Sequence, residues 1–179
     1  MKPPRSIAPT MIAATLALGA SQPAFGEAPT IQTQGAIIHL ADNLQEEANL
    51  GWCIDTDGRD LTDLLHAHSC KPSGGDVLFS YAADTGTISS ATYENKCMAH
   101  NAPDNDVNPF GLIDCDISAS DQKFAYDEET MEIHLGSDLS QCLTVSPVID
   151  NAGPYQSRDL IIASCDSLEP SFKQWVIQG

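Results

Sequence analysis

The sequence predicts an all-β domain with pseudo-threefold symmetry. Three observations support this fold class. Cysteines recur with a constant period, an aromatic residue follows every second cysteine, and short segments alternate apolar with polar residues. A repeat of this kind outweighs local patterns, because one repeat cannot bury its apolar face alone. A period near 45 residues leaves room for about four short strands in each repeat.

The six cysteines stand in two contexts that alternate along the chain. Cysteines of the first kind precede an apolar residue and are 44 and then 45 residues apart: Cys53, Cys97 and Cys142. Cysteines of the second kind end a short apolar run: Cys70, Cys115 and Cys165. Each of these is followed after 9 or 10 residues by an aromatic side chain that we expect in a shared core: Phe79, Phe124 and Trp175.

The repeat also predicts which cysteines are bonded. Phe79-Ser80-Tyr81 and Trp175-Val176-Ile177 alternate as strands do, and Asp84-Thr85-Gly86 is typical of a turn. The two cysteines of a repeat then lie on neighbouring strands, and six cysteines in an exported chain favour disulfides. The predicted pairs are Cys53–Cys70, Cys97–Cys115 and Cys142–Cys165. The last pair spans 23 residues, against 17 and 18 in the others, and we place the extra residues in a loop at Asp150–Arg158.

The first 26 residues have the pattern of a secretory signal peptide. Lys2 and Arg5 precede Met11–Ala20, an apolar run that is too short to span a bilayer. Ala24-Phe25-Gly26 then offers the small residues that a signal peptidase reads. We therefore expect a secreted or periplasmic protein. The predicted division is a signal peptide at 1–26, an N-terminal extension at 27–34 and the β domain at 35–179.

Charge narrows the range of partners. The chain carries 25 acidic and 8 basic residues, a net charge of −17. The charge becomes −19 without the signal segment, because that segment holds two basic residues and no acidic one. Such a surface repels phosphate backbones and anionic lipids, which argues against nucleic-acid binding. No second apolar stretch is long enough for membrane insertion, so a neutral ligand or a cationic partner fits best.

The repeat resembles that of the ricin B-type lectin family, whose fold is the β-trefoil. A repeat of that family begins with Cys-apolar-Asp, continues to an apolar strand that ends in Cys, and closes with Gln-x-aromatic. Gln122-Lys123-Phe124 matches the closing element, whereas Val77-Leu78-Phe79 lacks the Gln and Lys173-Gln174-Trp175 carries it one position later. The resemblance covers about Gly35 to Gly179. It implies a non-enzymatic carbohydrate-binding module that needs no cofactor.

The resemblance also implies where a galactose-type glycan binds. Family sites use an Asp near the start of the repeat, a flat ring two residues before the second Cys, and a polar group before the closing element. The first repeat comes closest to this set, and its implied carbohydrate-binding residues are Asp55, His66, His68 and Asp76. The second repeat has Ala99 and Ile113 at the Asp and ring positions, and the third has Thr144 and Ala163. Asp55 also suits a turn, and His66 and His68 are expected at the surface of a strand.

The same residues permit other functions. His66 and His68, with Asp55 or Asp57, are ligand types found in zinc sites, but two histidines at strand spacing do not predict a metal site. The sequence contains no nucleophile elbow, HExxH motif or phosphate-binding loop, so catalysis is not predicted. The expected partners are therefore glycans or glycoproteins. The main alternative is a protein-interaction or receptor-binding subunit of an exported bacterial toxin-like complex with a partner protein chain, since the chain resembles the ricin-like subunits of cytolethal distending toxin.

Overall fold

The computed structural model describes residues 26–57, 63–101 and 109–179. The chain in these ranges consists of β-strands and two 3-10 turns, which confirms the all-β prediction. The strands are β1 Ile37–Leu40, β2 Trp52–Thr56, β3 Leu65–Ser69, β4 Phe79–Ala82, β5 Thr87–Ser90, β6 Lys96–His100, β7 Phe110–Asp114, β8 Phe124–Asp127, β9 Glu132–Leu135, β10 Asp138–Val145, β11 Asp150–Ala152, β12 Tyr155–Ser164 and β13 Trp175–Gln178. The 3-10 turns are Ser120–Gln122 and Pro170–Phe172.

The predicted signal peptide lies outside the described residues, except for Gly26. Residues 27–34, the predicted extension, lie against the domain: the Thr30 amide donates to the Asn49 carbonyl at 2.8 Å, and Thr33 Oγ1 donates to the Lys71 carbonyl at 2.8 Å. In the described ranges, no helix has the length and apolar character needed to cross a membrane.

The described strands form two sheets in which all pairs are antiparallel. The larger sheet is ordered β13-β1-β2-β3-β12-β10-β9-β8, with β11 paired to β12, and the smaller is ordered β4-β5-β6-β7. Strand β1 pairs with β13 from Ile37↔Gln178 to Leu40↔Trp175. The first and last strands of the domain therefore lie side by side.

The larger of two hydrophobic clusters in the described residues is built around large aromatic side chains. Four of these are fully buried and a fifth is 3% exposed: Trp52, Phe79, Phe110 and Trp175, and then Phe124. The three core positions predicted from the repeat are thus confirmed, and each such side chain stabilises the fold by about 2–3 kcal/mol relative to exposure. Trp52 also belongs to the core. Its Nε1 donates to the Asn43 carbonyl at 2.8 Å, and the Arg158 guanidinium lies 4.6 Å from its ring centre.

The three predicted disulfides are present. They are Cys53–Cys70, Cys97–Cys115 and Cys142–Cys165. Each joins two neighbouring antiparallel strands, namely β2 to the end of β3, β6 to the end of β7, and β10 to the end of β12. Closing loops of 17 to 23 residues stabilises the chain by about 3 kcal/mol for each bond in the chain-entropy description. Disulfides in this number are typical of an oxidising environment.

The stretch Asp150–Arg158 is a hairpin, and the prediction of a loop is wrong. Strand β11 turns at Gly153, whose φ is +68°, into β12, which lies between β3 and β10. The sequence does not show the alternation typical of a strand here, because two of the buried positions of β12 are polar. Gln156 is 8% exposed and Arg158 is 3% exposed. Gln156 accepts a hydrogen bond from a backbone amide at 3.0 Å, and Arg158 donates to two backbone carbonyls, both at 2.8 Å. These bonds offset the cost of burying the two polar side chains.

Candidate functional site

A pocket of about 590 Å³ lies between strand β3 and the segment that follows it on one side and the β11–β12 hairpin on the other. Three of the four residues implied by the resemblance line it: His66, His68 and Asp76. The fourth, Asp55, is fully buried and does not line the pocket. The register places Asp55 directly opposite His66, so the two side chains project from the same face of the sheet.

Lys71 joins the two carboxylates of this set. Its Nζ lies 2.8 Å from Asp55 Oδ2 and 2.5 Å from Asp76 Oδ2. The ammonium therefore forms an ion pair with each carboxylate. Burial raises the pKa of Asp55 to about 7, against the lowering effect of Lys71. Burial alone lowers the pKa of Lys71, but the two carboxylates outweigh it and the net pKa is raised, so the side chain stays charged at neutral pH.

His66 and His68 extend from the same face of β3 and are buried, at 8% and 7% exposure. The expectation that they lie at the surface is wrong, because β12 pairs with β3 at these positions, with Asp159 opposite His66 and Ser157 opposite His68. Burial lowers the pKa of His66 to about 3, helped by the nearby His68 and Lys71, and burial also lowers the pKa of His68. Both imidazoles are therefore neutral at neutral pH.

Tyr155 and Lys71 are the site residues that the sequence reasoning missed. The Tyr155 ring lies 5.5 Å from the His68 ring, centre to centre, at an interplanar angle of 62°. The family pattern places a flat ring where this chain has His68, and Tyr155 adds a larger ring from the third repeat. It is the one aromatic residue within Asp150–Arg158, so the extra length of that repeat was the available signal. Lys71, one of only 8 basic residues, directly follows Cys70.

The corresponding positions of the other two repeats lack carboxylates. Ala99 is fully buried, and Thr144 is fully buried with its Oγ1 donating to the Ile161 carbonyl at 3.1 Å. The ring positions there hold Ile113 and Ala163. These groups offer neither a charged acceptor nor a flat polar ring for a ligand.

Comparison with known proteins decides the family. The sequence matches the ricin-type beta-trefoil lectin domain over residues 42–178, which is more than half of the chain. The chain belongs to the ricin-type lectin family. The predicted resemblance is thus confirmed, and both walls of the pocket lie inside the matched part of this ricin-type domain. No curated protein matches the sequence.

Several solved structures share the fold of this ricin-type domain. A non-toxic homologue of type II RIPs from bitter gourd (Momordica charantia), in complex with α-methyl-D-galactoside, has a TM-score of 0.57 at 13% identity, covering 80% of this chain and 47% of its own. The C-half of the earthworm R-type lectin, in complex with GalNAc, has a TM-score of 0.55 at 15% identity, covering 80% and 96%. Cytolethal distending toxin from Actinobacillus actinomycetemcomitans has a TM-score of 0.51 at 16% identity, covering 79% and 89%.

Some of the similar structures are of much longer chains. The ricin-type domain spans 23%, 47% and 17% of three of them. At identities between 10% and 18% the likeness shows a shared fold.

Proposed function

We propose that this ricin-type domain binds a galactose-type glycan in the pocket between β3 and the β11–β12 hairpin, as an exported, non-enzymatic lectin module. The observation that carries the proposal is the ammonium of Lys71, held between Asp55 and Asp76 beside the rings of His68 and Tyr155. The family match and the two sugar-bound relatives support the ligand class.

The chemistry of the pocket suits a sugar. A sugar ring carries hydroxyl groups around its edge and an apolar face, so it needs fixed polar groups and a flat platform. Asp76 and Asp57 provide carboxylate acceptors at the pocket wall, and Lys71 provides ammonium donors. Tyr155 provides the larger of the two rings. In this proposal the buried Asp55 acts through Lys71, by holding its ammonium in place.

The disulfides, the N-terminal pattern and the net charge of the chain support an extracellular or periplasmic ligand. Three disulfides require an oxidising compartment to form, and the first 26 residues have the pattern of an export signal. A net charge of −17 disfavours nucleic acids and anionic lipids. We therefore propose glycans or glycoproteins as the partners.

A glycan array with the exported protein, purified with its disulfides intact, tests the proposal. We expect galactose-type binding by the native chain, and loss of that binding in Tyr155→Ala, which removes the platform without leaving a buried charge unpaired. Lys71→Met is expected to lose binding as well. Lys96→Met is the matched control, because Lys96 pairs with exposed Asp114 outside the pocket. A folded native protein that binds no glycan on the array, or a Tyr155→Ala variant that binds as the native protein does, contradicts the proposal.

A second function is favoured by the other two repeats. Ala99 and Thr144 are buried and leave these repeats without the carboxylate of a sugar site, so two of the three repeats do not support glycan binding. The alternative is a receptor-binding subunit in an exported complex, and the shared fold with cytolethal distending toxin supports it. Binding to cell surfaces that is lost after deglycosylation but kept after protease treatment argues for the lectin. Binding that is lost after protease treatment but kept after deglycosylation argues for the protein-binding subunit.

A further inference from the structure

Two buried polar atoms beside the pocket lack a partner among the described residues. They are the Oδ1 atom of Asp55, which the ion pair with Lys71 does not use, and the Nε2 atom of His66. Asp55 is fully buried and the His66 side chain is 10% exposed. A buried polar atom without a partner costs about 1–3 kcal/mol, so two of them together indicate a ligand that supplies the missing bonds.

The geometry brings a third group to the same place. His68 lies two residues beyond His66 on the same face of β3, and Asp55 is opposite His66 on β2. One ligand atom from each of the three side chains lies within 4.8 Å of the other two. Because His66 and His68 line the pocket, the space between the three groups is reached from it.

The backbone orients both imidazoles of the cluster. His68 Nδ1 lies 2.9 Å from the Ser69 carbonyl, and His66 makes a hydrogen bond with the backbone of Thr56. A ring N–H that donates to a backbone carbonyl orients the imidazole and leaves the other nitrogen as a lone pair, as in many metal sites.

We infer that Asp55, His66 and His68 form a binding site for a divalent transition-metal ion of the zinc class. Two imidazoles and one carboxylate are a typical ligand set for zinc, whereas calcium and magnesium prefer sites made of oxygen atoms. A tetrahedral zinc ion holds its ligand atoms about 3.3 Å apart, so side chains whose ligand atoms lie within 4.8 Å need to close by at most about 1.5 Å. The fourth position then faces the pocket. This inference goes beyond glycan binding and does not depend on it.

Lys71 is the group that opposes a metal ion at this position. Its ammonium lies 2.8 Å from Asp55 Oδ2, and a second cation on Asp55 is repelled by it. Asp76 holds the ammonium from the other side at 2.5 Å, so Lys71 keeps a partner when a metal takes the free oxygen of Asp55. Asp57 also lies close, with its Oδ1 3.6 Å from His66 Nδ1, and adds negative charge. Lys71→Met is therefore expected to strengthen metal binding while it weakens glycan binding.

A second cluster in the described residues has similar side chains but does not qualify. Glu132, His134, Cys142 and Cys165 also lie within 4.8 Å of one another. The two cysteines form a disulfide, and disulfide sulfurs lack the negative charge of a thiolate ligand. His134 therefore offers a matched control histidine outside the pocket.

The test is a Zn²⁺ titration of the disulfide-intact, chelator-treated protein by calorimetry, followed by Co²⁺ absorption to report the coordination number. We expect about one ion per chain and a four-coordinate Co²⁺ spectrum. His66→Gln and His68→Gln are each expected to weaken Zn²⁺ binding by at least about tenfold, and His134→Gln to leave it unchanged. Lys71→Met, which leaves all three ligands in place, is expected to tighten it by about fivefold or more.

Three outcomes overturn the metal site. They are no Zn²⁺ uptake by the folded native chain, uptake that His66→Gln and His68→Gln leave unchanged, and loss of both metal and glycan by a Lys71→Met variant that circular dichroism shows to be folded. The glycan array is run on the same metal-free protein, so a failure of one proposal is separate from a failure of the other.

Discussion

Arg158 is the residue whose replacement tests most directly how the pocket is held together. It lies on β12 with 3% of its surface exposed, on the opposite face from Ser157 and the pocket. Its two terminal nitrogens donate to the carbonyls of Leu44 and Ser146, both at 2.8 Å, and its guanidinium lies 4.6 Å from the centre of the Trp52 ring. The side chain thus connects the hairpin strand to a core aromatic and to two loops.

The expected cost of Arg158→Met follows from these contacts. Each hydrogen bond from a charged group contributes about 1.5–3 kcal/mol, and a cation over an aromatic ring contributes about 0.5–2 kcal/mol. Removing a buried cation also removes its desolvation cost, which offsets part of the loss. Burial lowers the pKa of Arg158 to about 10, so the native side chain is still protonated at neutral pH. We expect the free energy of unfolding to fall by about 3–5 kcal/mol.

Urea unfolding at neutral pH, followed by far-ultraviolet circular dichroism with the disulfides intact, measures this change. Lys96→Met is the control, because an exposed ion pair such as Lys96 with Asp114 contributes at most about 1 kcal/mol. A loss below about 1 kcal/mol for Arg158→Met means that relief of desolvation cancels the contacts. In that case Arg158 does not hold the hairpin, and the reasoning is refuted.

The remaining predictions concern pH, a buried carboxylate and two turns. Burial lowers the pKa of His39. Below pH 6.5, His39 is therefore protonated in the unfolded chain while it is still neutral in the folded chain. The free energy of unfolding is therefore expected to fall as pH drops below 6.5, and unfolding of His39→Gln across pH should show a weaker dependence; an unchanged slope contradicts this. Glu46, 4% exposed, accepts hydrogen bonds from the Leu50 amide at 2.6 Å and from Ser69 Oγ at 2.8 Å, so Glu46→Ala should cost about 2–4 kcal/mol in urea unfolding, and exposed Glu47→Ala below about 0.5. Gly86 and Gly153 have nearly the same φ, +67° and +68°. A Cβ added to Gly86 would lie 2.8 Å from a backbone oxygen of β8, whereas a Cβ added to Gly153 would have no atom within 4 Å. Melting of the alanine variants should show a loss of about 3 kcal/mol for Gly86→Ala and about 1 for Gly153→Ala, and equal losses would exclude the close approach as the cause.

The parts of the fold that the sequence predicts are those with a local, periodic signal. The spacing of cysteines near 45 residues predicted all three disulfides, and the aromatic residue after each second cysteine predicted core positions such as Phe79 and Trp175. These patterns can be recognised in the sequence because few other residues can replace a disulfide-bonded cysteine or a large buried aromatic side chain.

The parts that could not be predicted depend on contacts between distant segments. Strand β12 has Gln156 and Arg158 at buried positions, and each has a hydrogen-bond partner more than a hundred residues earlier, at separations of 109 and 114, so no nearby pattern marks them as buried. The burial of His66 and His68 follows from the same strand and was missed with it. Asp55 was predicted to touch the sugar directly, whereas it lies behind Lys71, a neighbour that the family pattern does not mention. Its role in binding stays a prediction.

The tip of the β11–β12 hairpin has a consequence for how such a protein changes over time. Asn151 and Gly153 are exposed, no atom surrounds the open side of Gly153, and the tip still forms a wall of the pocket. The side chains that hold the hairpin to the domain come later in β12, at Gln156 and Arg158. In the proposed function, substitutions at residues 151, 152 and 154 alter which ligand is accepted without touching the side chains that hold the hairpin. Gly153 is left unchanged because its φ of +68° disfavours other residues. A library randomised over those three positions is a direct way to evolve new specificities from this domain.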